Sequence, residues 1–321
     1  MERSISAWRC RRTAKVAALV FCAIFALLRI QQETLASVDD GGLLFNCSNI
    51  AEININTRNV HGKGVTKHAF LGRYHGSHVL VKMVTGTGYD VTRCLSSNRS
   101  STECYAWANM KLLKEIMLHL ELRHASLVQL LGFCVRSEET EALSLSEHGI
   151  IGVYEYAVPL TNVESWSLST RLTSAWELLD LLSYLEQSPL GSLLVADLKR
   201  SHLLLRPPHS IVITDLDDVT SVEPKCSSNG SCDHNVKCRN GRCSGHNARH
   251  NLLRFHSVLL SDMLHCNTNS SIKQNTSSVC HNLSIGHGSA SAIQSQLSTL
   301  LRGLNENSDG EFRRLNFLLA E

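Results

Sequence analysis

Two segments in the second half of the chain decide which fold it can adopt: Asp197-Leu198-Lys199-Arg200-Ser201-His202 and Thr214-Asp215-Leu216-Asp217-Asp218. Asp197 and Asp215 are 18 residues apart, and the runs 203–205 and 211–214 between them consist of strand-forming residues. The pattern predicts two short strands, with an aspartate on either side of the pair. Carboxylates in such loops can accept a proton from a hydroxyl group or bind a divalent metal ion.

The first half of the chain contains a predicted β-hairpin with a lysine on its second strand. The strands are Lys67–Tyr74 and His78–Val84, and Lys82 lies among apolar residues of the second one. The preceding segment Gly62-Lys63-Gly64-Val65-Thr66-Lys67 contains glycines that let backbone N–H groups approach a polyphosphate. Taken alone, this segment is also typical of an ordinary turn, and a single strand lysine is usually a solvated edge residue.

The hydrophobic pattern predicts a small β-rich half followed by a helical half. A helix is predicted over Met110–Leu122 and contains Glu115, and strands are predicted over Leu127–Cys134 and Gly149–Tyr156. A second, broadly apolar helix is predicted over Leu172–Leu185.

The order and spacing of these segments resemble those of protein kinases. Glu115 stands nine residues before His124, a separation similar to that between the αC glutamate and the histidine that follows it in kinases. Segment 197–202 is similar to the kinase catalytic loop, and Asp215-Leu216-Asp217 resembles the metal-binding D-F-G motif. The resemblance implies an α+β, bilobal kinase-like fold with a small β-rich N-lobe and a helical C-lobe, using ATP with Mg²⁺ or Mn²⁺.

The resemblance also implies a role for each matching residue. Lys82 would contact the phosphates of ATP and Glu115 would hold that lysine, whereas Asp197 would accept the proton of the substrate hydroxyl. The residues implied to bind ATP are Gly62, Gly64, Lys67, Lys82, Glu115 and the hinge residues Glu155 and Ala157, whose backbone groups would face adenine. The residues implied to act in catalysis or metal binding are Asp197, Lys199, Asp215 and His202.

Several positions depart from the kinase pattern. Val195-Ala196 replaces the usual His-Arg, which removes the arginine that pairs with an activation-loop phosphate in many kinases. His202 replaces the asparagine that binds the second metal ion, and Asp217 replaces the D-F-G glycine. Because imidazole suits softer divalent ions than an amide oxygen does, His202 favours Mn²⁺ over Mg²⁺.

A narrower resemblance is to the vertebrate lonesome kinase family of secreted tyrosine kinases and its divergent secretory-pathway relatives. Segment Cys243-Ser244-Gly245-His246-Asn247-Ala248-Arg249-His250-Asn251-Leu252 is similar to the C-x-G-x-N-x-x-x-N-L pattern of that family, which also has D-L-D at the metal-binding motif. The resemblance covers about Val60 to Leu264, and the tail from Cys266 onward lies outside it. It implies tyrosine as the acceptor, although Lys199 is typical of serine/threonine kinases.

Two other functions are open at this point. The substitutions at His202 and Asp217 are compatible with a secreted pseudokinase that acts as a binding or scaffold module. The cysteine-rich segment 226–243 is compatible with a cystine-rich secreted ligand, but that function leaves the ordered kinase motifs unexplained.

The cysteines and the N-terminus indicate the secretory pathway. The chain has 12 Cys without a C-x-x-C spacing, which favours disulfides over structural zinc. The uncharged run Val16–Leu28 follows five basic residues, as in a signal peptide cleaved after Ala36 or in a signal anchor that remains in the membrane. Six N-x-[ST] sequons, expected in surface loops, predict glycosylation at Asn46, Asn98, Asn229, Asn269, Asn275 and Asn282.

Two of the cysteine pairings are suggested by short loops, and the rest are open. Cys94 with Cys104 could close an insertion, and Cys266 with Cys280 could close a loop in the tail. Cys226, Cys232, Cys238 and Cys243 replace the activation segment, either as disulfides or, less in keeping with their wide spacing, as zinc ligands. The 16 His, His246 and His250 among them, are expected mostly at the surface.

Composition limits the partners and the domain organisation. The 321 residues are 43% hydrophobic with a net charge of +2, so no broad cationic field for nucleic acid or an anionic membrane is expected. Secreted or lumenal protein substrates are expected, with a membrane reached only through an uncleaved leader. We predict a leader over 1–40, an N-lobe and hinge over 41–157 and a C-lobe over 158–321.

Overall fold

The structure of the protein is a computed structural model that describes residues 42–137, 142–227, 232–266 and 271–303, without the side chains of 271–275. The predicted leader and the sequons at Asn229 and Asn269 lie outside the described residues. Among the helices of the described ranges, none is long and apolar enough to cross a membrane. The chain forms two compact units, the first made of residues up to Glu121 with Gln129–Tyr156, the second of Leu122–Val128 with residues from Ala157 onward.

The first unit is built on an antiparallel five-stranded sheet. Its strands are β1 (Asn54–Lys63), β2 (Lys67–Tyr74), β3 (Ser77–Val84), β4 (Leu130–Val135) and β5 (Ile150–Glu155), in the order β1-β2-β3-β5-β4. Side chains alternate across a strand, so Val79, Val81 and Met83 of β3 enter an apolar core on one face. Lys82 therefore points to the opposite face, and its strand lies in the interior of the sheet rather than at an edge.

Two helices follow β3, α1 (Tyr89–Ser96) and α2 (Ser101–Glu121). The helix predicted from Met110 begins nine residues earlier, because the insertion that holds Cys94 and Cys104 is itself helical. Leu112, Leu113 and Ile116 of α2 are buried, and α2 contacts strands β3, β4 and β5. Packing of α2 against these strands places Glu115 next to the sheet.

The second unit contains the predicted apolar helix and further helices toward the C-terminus. Its helices are α3 (Leu168–Glu186), α4 (His246–Phe255), α5 (Ser271–Ser284) and α6 (290–303), and α4 continues through a π-helical stretch to Met263. Seven leucine and alanine side chains of α3 are buried: Leu172, Ala175, Leu178, Leu179, Leu181, Leu182 and Leu185. Burial on this broad apolar surface explains why α3 forms without acidic residues in its first turn or basic ones in its last.

Short strands of the second unit hold the two aspartate loops. The strands are β6 (Val158–Pro159), β7 (Leu194–Val195), β8 (Leu203–Arg206), β9 (Ser210–Ile213) and β10 (Val219–Thr220). β8 and β9 form the predicted hairpin, and β7 pairs with β10. Asp197 follows β7 and Asp215 follows β9, as the sequence predicts. The α+β, kinase-like fold is confirmed, with the sheet in the first unit and most helices in the second.

Five disulfides link the ten cysteines of the described residues. Cys94 bonds to Cys104 and Cys266 to Cys280, the two pairs that the loops suggested, and Cys47 bonds to Cys134 in the first unit. The remaining bonds are Cys226–Cys238 and Cys232–Cys243, around a hairpin of β11 (Lys237–Arg239) and β12 (Arg242–Ser244). The zinc-ligand alternative for these four cysteines is therefore wrong.

One expectation about surface position needs correction. Asn275 and Asn282 lie in α5 rather than in loops, whereas Asn46 and Asn98 lie outside helices and strands. The histidines lie mostly at the surface as expected, and four of the 16 are buried: His68, His119, His148 and His246.

Candidate active site

A buried cluster of three charged side chains lies between the sheet and α2. Lys82 Nζ is 2.6 Å from Glu115 Oε1, and Lys67 Nζ is 2.7 Å from Glu115 Oε2. The exposed fractions of the side chains are 6% for Lys82, 7% for Lys67 and 0% for Glu115. One carboxylate thus lies within ion-pair distance of two ammonium groups.

Neighbouring aromatic groups fix the position of this cluster. Lys82 Nζ lies 4.7 Å from the centroid of the buried Tyr154 ring, within the range of a cation–π interaction. His119, one helical turn after Glu115, places Nε2 3.9 Å from the same carboxylate oxygen that binds Lys82. A buried cationic group that is already oriented can bind phosphate oxygens without first losing side-chain entropy, so the cluster fits a polyphosphate.

The glycine segment forms the turn between β1 and β2. Gly62 lies within β1 opposite Ala69, and only Gly64 lies in the turn itself. The Gly64 N–H donates to Lys67 O at 3.0 Å, and a Cβ on Gly64 would stand 2.7 Å from that oxygen. Gly64 is therefore required by the tight turn that delivers Lys67 to Glu115.

The two hinge residues belong to different units. Glu155 ends β5; its N–H donates to Gln129 O at 2.9 Å and its carboxylate accepts from Gln129 N at 2.8 Å. The Glu155 N–H is thus already paired, so the predicted backbone contact of Glu155 with adenine can involve only its carbonyl group. Ala157 begins the second unit and is 4% exposed.

The loop after β7 brings a lysine to the candidate catalytic base. Lys199 Nζ lies 2.7 Å from Asp197 Oδ2, and both side chains are about half exposed. The hydrogen bond that Lys199 donates to the Asp197 carboxylate raises the pKa of the Lys199 ammonium, with smaller contributions from the charges of Asp215 and Asp218. Lys199 therefore stays protonated and places a positive charge at the proposed base.

The loop after β9 places a carboxylate beside an imidazole. His202 Nε2 is 3.4 Å from Asp215 Oδ2, and Asp215 has a positive φ of 69° that turns its side chain out of the strand direction. Nδ1 of His202 is buried without a hydrogen-bond partner among the described residues. The imidazole Nε2 beside the Asp215 carboxylate oxygen forms a donor set that can bind a divalent metal ion.

Two asparagines of α4 hold the strand that precedes Asp197. Asn251 accepts from Val195 N at 3.0 Å and donates to Leu193 O at 2.8 Å, and Asn247 donates to Ser192 O at 2.8 Å. Both are fully buried. The two Asn of the C-x-G-x-N-x-x-x-N-L pattern thus hold the strand that leads into the loop of Asp197.

In the sequence these two asparagines are recognisable only as members of that pattern. Their spacing of four residues indicates that both lie on one face of a helix. The sequence does not indicate what they bind, because their backbone partners lie more than 50 positions away. Gly245, with φ of 85°, forms the turn that begins α4 directly after the Cys232–Cys243 disulfide.

The fold and the two sets of side chains define a protein-kinase domain. Comparison of the sequence with known families agrees: the protein-kinase domain of FAM69 matches residues 106–304, more than half of the chain, and the chain belongs to this family. The match includes the tail from Cys266 to 304, so the expectation that the tail lies outside the family resemblance is wrong.

The human extracellular tyrosine-protein kinase PKDCC is a relative of the chain. The two sequences are 29% identical over 220 residues, which is 66% of this chain and 44% of the relative. The chain thus spans less than half the length of this relative.

Proposed function

We propose that the chain is an ATP-dependent protein kinase of the secretory pathway that phosphorylates tyrosine residues of lumenal or secreted proteins. The observation that carries the proposal is the buried Lys82–Glu115 ion pair at 2.6 Å, formed by the two residues that the kinase pattern assigns to it. In kinases this pair must be formed for the lysine to engage the nucleotide phosphates. Lys67 adds a second buried cation to the same carboxylate.

Each group of residues has a defined task in phosphoryl transfer. Lys82 and Lys67 bind the phosphates of ATP, and Glu115 holds both lysines. Asp197 orients the acceptor hydroxyl and accepts its proton, while the Lys199 ammonium beside it offsets negative charge on the transferred group. The metal ion, held by Asp215 and His202, would supply charge neutralisation at the phosphates.

The proposed Mn²⁺ preference rests on His202. An imidazole nitrogen and a carboxylate oxygen 3.4 Å apart form a mixed donor set, which is less suited to Mg²⁺ than a set of oxygens.

The proposed compartment and acceptor rest on the disulfides and on the relative. Five disulfides need an oxidising compartment to form and persist. The relative is described as extracellular and as a tyrosine-protein kinase, which supports the same compartment and acceptor here. The candidate glycosylation sites and either fate of the leader are compatible with this compartment.

A transfer assay tests the proposal. The full chain is expressed in animal cells, and transfer from labelled ATP to tyrosine and serine peptides is measured with Mg²⁺ or Mn²⁺. We expect tyrosine phosphorylation that is lost in Asp197→Asn and kept in the matched control Glu52→Gln, which changes an exposed carboxylate outside the site to an amide.

The other outcomes are equally informative. Nucleotide binding without transfer above that of Asp197→Asn would establish the pseudokinase alternative. Absence of nucleotide binding would leave the cystine-rich ligand. Transfer to serine alone would overturn the proposed acceptor and keep the kinase.

A further inference from the structure

Three histidines of the second unit converge beside the disulfide-linked hairpin. His246 and His250 lie on α4, and His234 lies in a short turn, Asp233–Asn235, that directly follows Cys232. Each ring offers one nitrogen, and these three nitrogens all lie within 4.8 Å of one another. The ring centroids are 5.2 to 5.6 Å apart. The kinase motifs use none of these side chains.

We propose that His234, His246 and His250 form a binding site for one late transition-metal ion, with Zn²⁺ as the expected occupant. Imidazole nitrogen suits Zn²⁺, Cu²⁺ and Ni²⁺, whereas Mg²⁺ and Ca²⁺ require oxygen ligands. Three histidines leave a fourth position for water, as in tri-histidine zinc sites.

The distance between two of the three ring nitrogens matches a tetrahedral centre. His234 Nε2 is 3.3 Å from His250 Nδ1. Zinc–nitrogen bonds of about 2.0–2.1 Å separate two ligands of a tetrahedron by about 3.3–3.4 Å. A hydrogen bond between the two rings would also bring these atoms together, but 3.3 Å is longer than the usual range for such a bond.

His246 requires a partner that the described protein atoms do not supply. Its side chain is 7% exposed, and Nδ1 is buried without a hydrogen-bond partner among the described residues. A buried polar atom that lacks a partner costs about 1–3 kcal/mol. His246 and His250 also have the i, i+4 spacing that places two metal ligands on one face of a helix.

The third ligand is held in place by two other contacts. Cys232, next to the turn that contains His234, is bonded to Cys243, three residues before His246. Arg249 donates to the His234 carbonyl oxygen at 2.7 Å and also to the carbonyl of Gly286. The guanidinium is thus directed to carbonyl groups, and the His234 backbone is fixed before a metal binds.

A bound ion would join the cystine-rich hairpin to the helix that positions the catalytic loop. Asn247 and Asn251 of the same helix bind the backbone of Ser192, Leu193 and Val195. A metal ion in the proposed site would therefore stabilise α4 and, through α4, the strand before Asp197.

Metal titration of the full chain tests the site directly. The protein is expressed in animal cells, freed of metal with a chelator and titrated with Zn²⁺, or with Co²⁺ as a spectroscopic probe, without ATP. To separate this site from the proposed active-site metal, the titration is repeated in Asp215→Asn. We expect one equivalent bound in both proteins, with the visible absorption of tetrahedral Co²⁺.

Ligand and control variants identify the donors. His234→Gln should weaken binding by more than the roughly 10- to 100-fold caused by loss of an outer-shell partner. It should also abolish the rise in melting temperature that Zn²⁺ gives. His287→Gln, an exposed histidine of the same unit, should change neither quantity. His234 lies in a short turn and not in α4, so its variant tests the ligand without altering the helix.

The proposal is overturned by either of two results. One is that the unmodified chain binds no Zn²⁺ or Co²⁺ at the tetrahedral site, and the other is that His234→Gln binds as tightly as the unmodified chain. Neither result depends on kinase activity, so the proposed function stands or fails separately.

Discussion

Replacement of Glu115 by glutamine should destabilise the first unit more than replacement of either lysine. Glu115→Gln removes the buried negative charge that lies 2.7 Å from Lys67 and 2.6 Å from Lys82. Breaking one buried ion pair by removal of a partner costs about 3–5 kcal/mol. We expect a loss of at least this size, a large part of the roughly 5–15 kcal/mol that stabilises a typical domain.

The lysine variants should cost less because each removes only one of the two lysine contacts of Glu115. Lys67→Met removes the 2.7 Å ion pair with Glu115 and leaves the Lys82–Glu115 pair in place, so it should cost less than the about 3–5 kcal/mol expected for Glu115→Gln. A matched control is Lys111→Met on the same helix: its ion pair with Asp90 at 2.8 Å is partly exposed and should contribute about 0–1 kcal/mol.

Denaturant unfolding under non-reducing conditions, with hydrogen exchange of residues 101–121, measures these losses. The expected order of destabilisation is Glu115→Gln, then Lys67→Met, then Lys111→Met. If Lys67→Met cost as much as Glu115→Gln, the account of one carboxylate shared by two lysines would be refuted. If Lys111→Met destabilised the protein as much as Glu115→Gln or Lys67→Met, burial of the ion pairs would not explain the differences in unfolding free energy.

Three further predictions concern His148 in the loop before β5, Asn251 of α4, and His202 as a ligand of the proposed active-site metal ion. Burial lowers the pKa of His148 to about 4, so the unfolded chain binds a proton first, and stability should fall by about 3 kcal/mol from pH 6.5 to 4; His148→Gln should flatten this dependence in pH-dependent denaturation. Asn251→Ala leaves two buried backbone groups without partners and should cost about 2–5 kcal/mol in denaturant unfolding, roughly twice the cost of Asn247→Ala. His202→Asn should raise activity with Mg²⁺ relative to Mn²⁺, measured as the ratio of kcat/KM values, and an unchanged ratio would show that the imidazole is not a ligand.

The elements that local pattern determines could be predicted from the sequence. The strand that carries Lys82, the helix that carries Glu115 and the hairpin between Asp197 and Asp215 were all expected, because hydrophobic periodicity and turn residues specify them within a few positions. The start of the helix that carries Glu115 differs from the prediction. The segment that the sequence indicated only as an insertion forms a helix and the first turns of α2, and the Cys94–Cys104 disulfide joins the two helices.

Long-range contacts could not be predicted in the same way. The Cys47–Cys134 disulfide joins residues 87 positions apart, and sequence alone does not specify connectivity. Convergence of His234 with His246 depends on the path of the hairpin between them, not on a helical repeat. The kinase resemblance predicts Lys67 at the phosphates, but it does not predict the ion pair of Lys67 with Glu115. That pair depends on strand register: Ala69 lies opposite Lys82, and Lys67, two residues before Ala69, lies on the same face of the sheet as Lys82.

The cystine-rich segment argues for an activation segment that is fixed and not switched by phosphate. A phosphate switch works when one to three charge-assisted hydrogen bonds decide whether a segment is ordered. Here Cys226–Cys238 and Cys232–Cys243 close loops of 12 and 11 residues, and each contributes about 3 kcal/mol in the chain-entropy account. Backbone bonds from Cys226 N to Gly241 O and from Cys243 N to Pro224 O, at 3.0 and 2.9 Å, add to this order. Because Val195-Ala196 also removes the arginine that would bind a phosphate, we expect activity without prior phosphorylation of this segment, and phosphatase treatment of the purified chain should leave its rate unchanged.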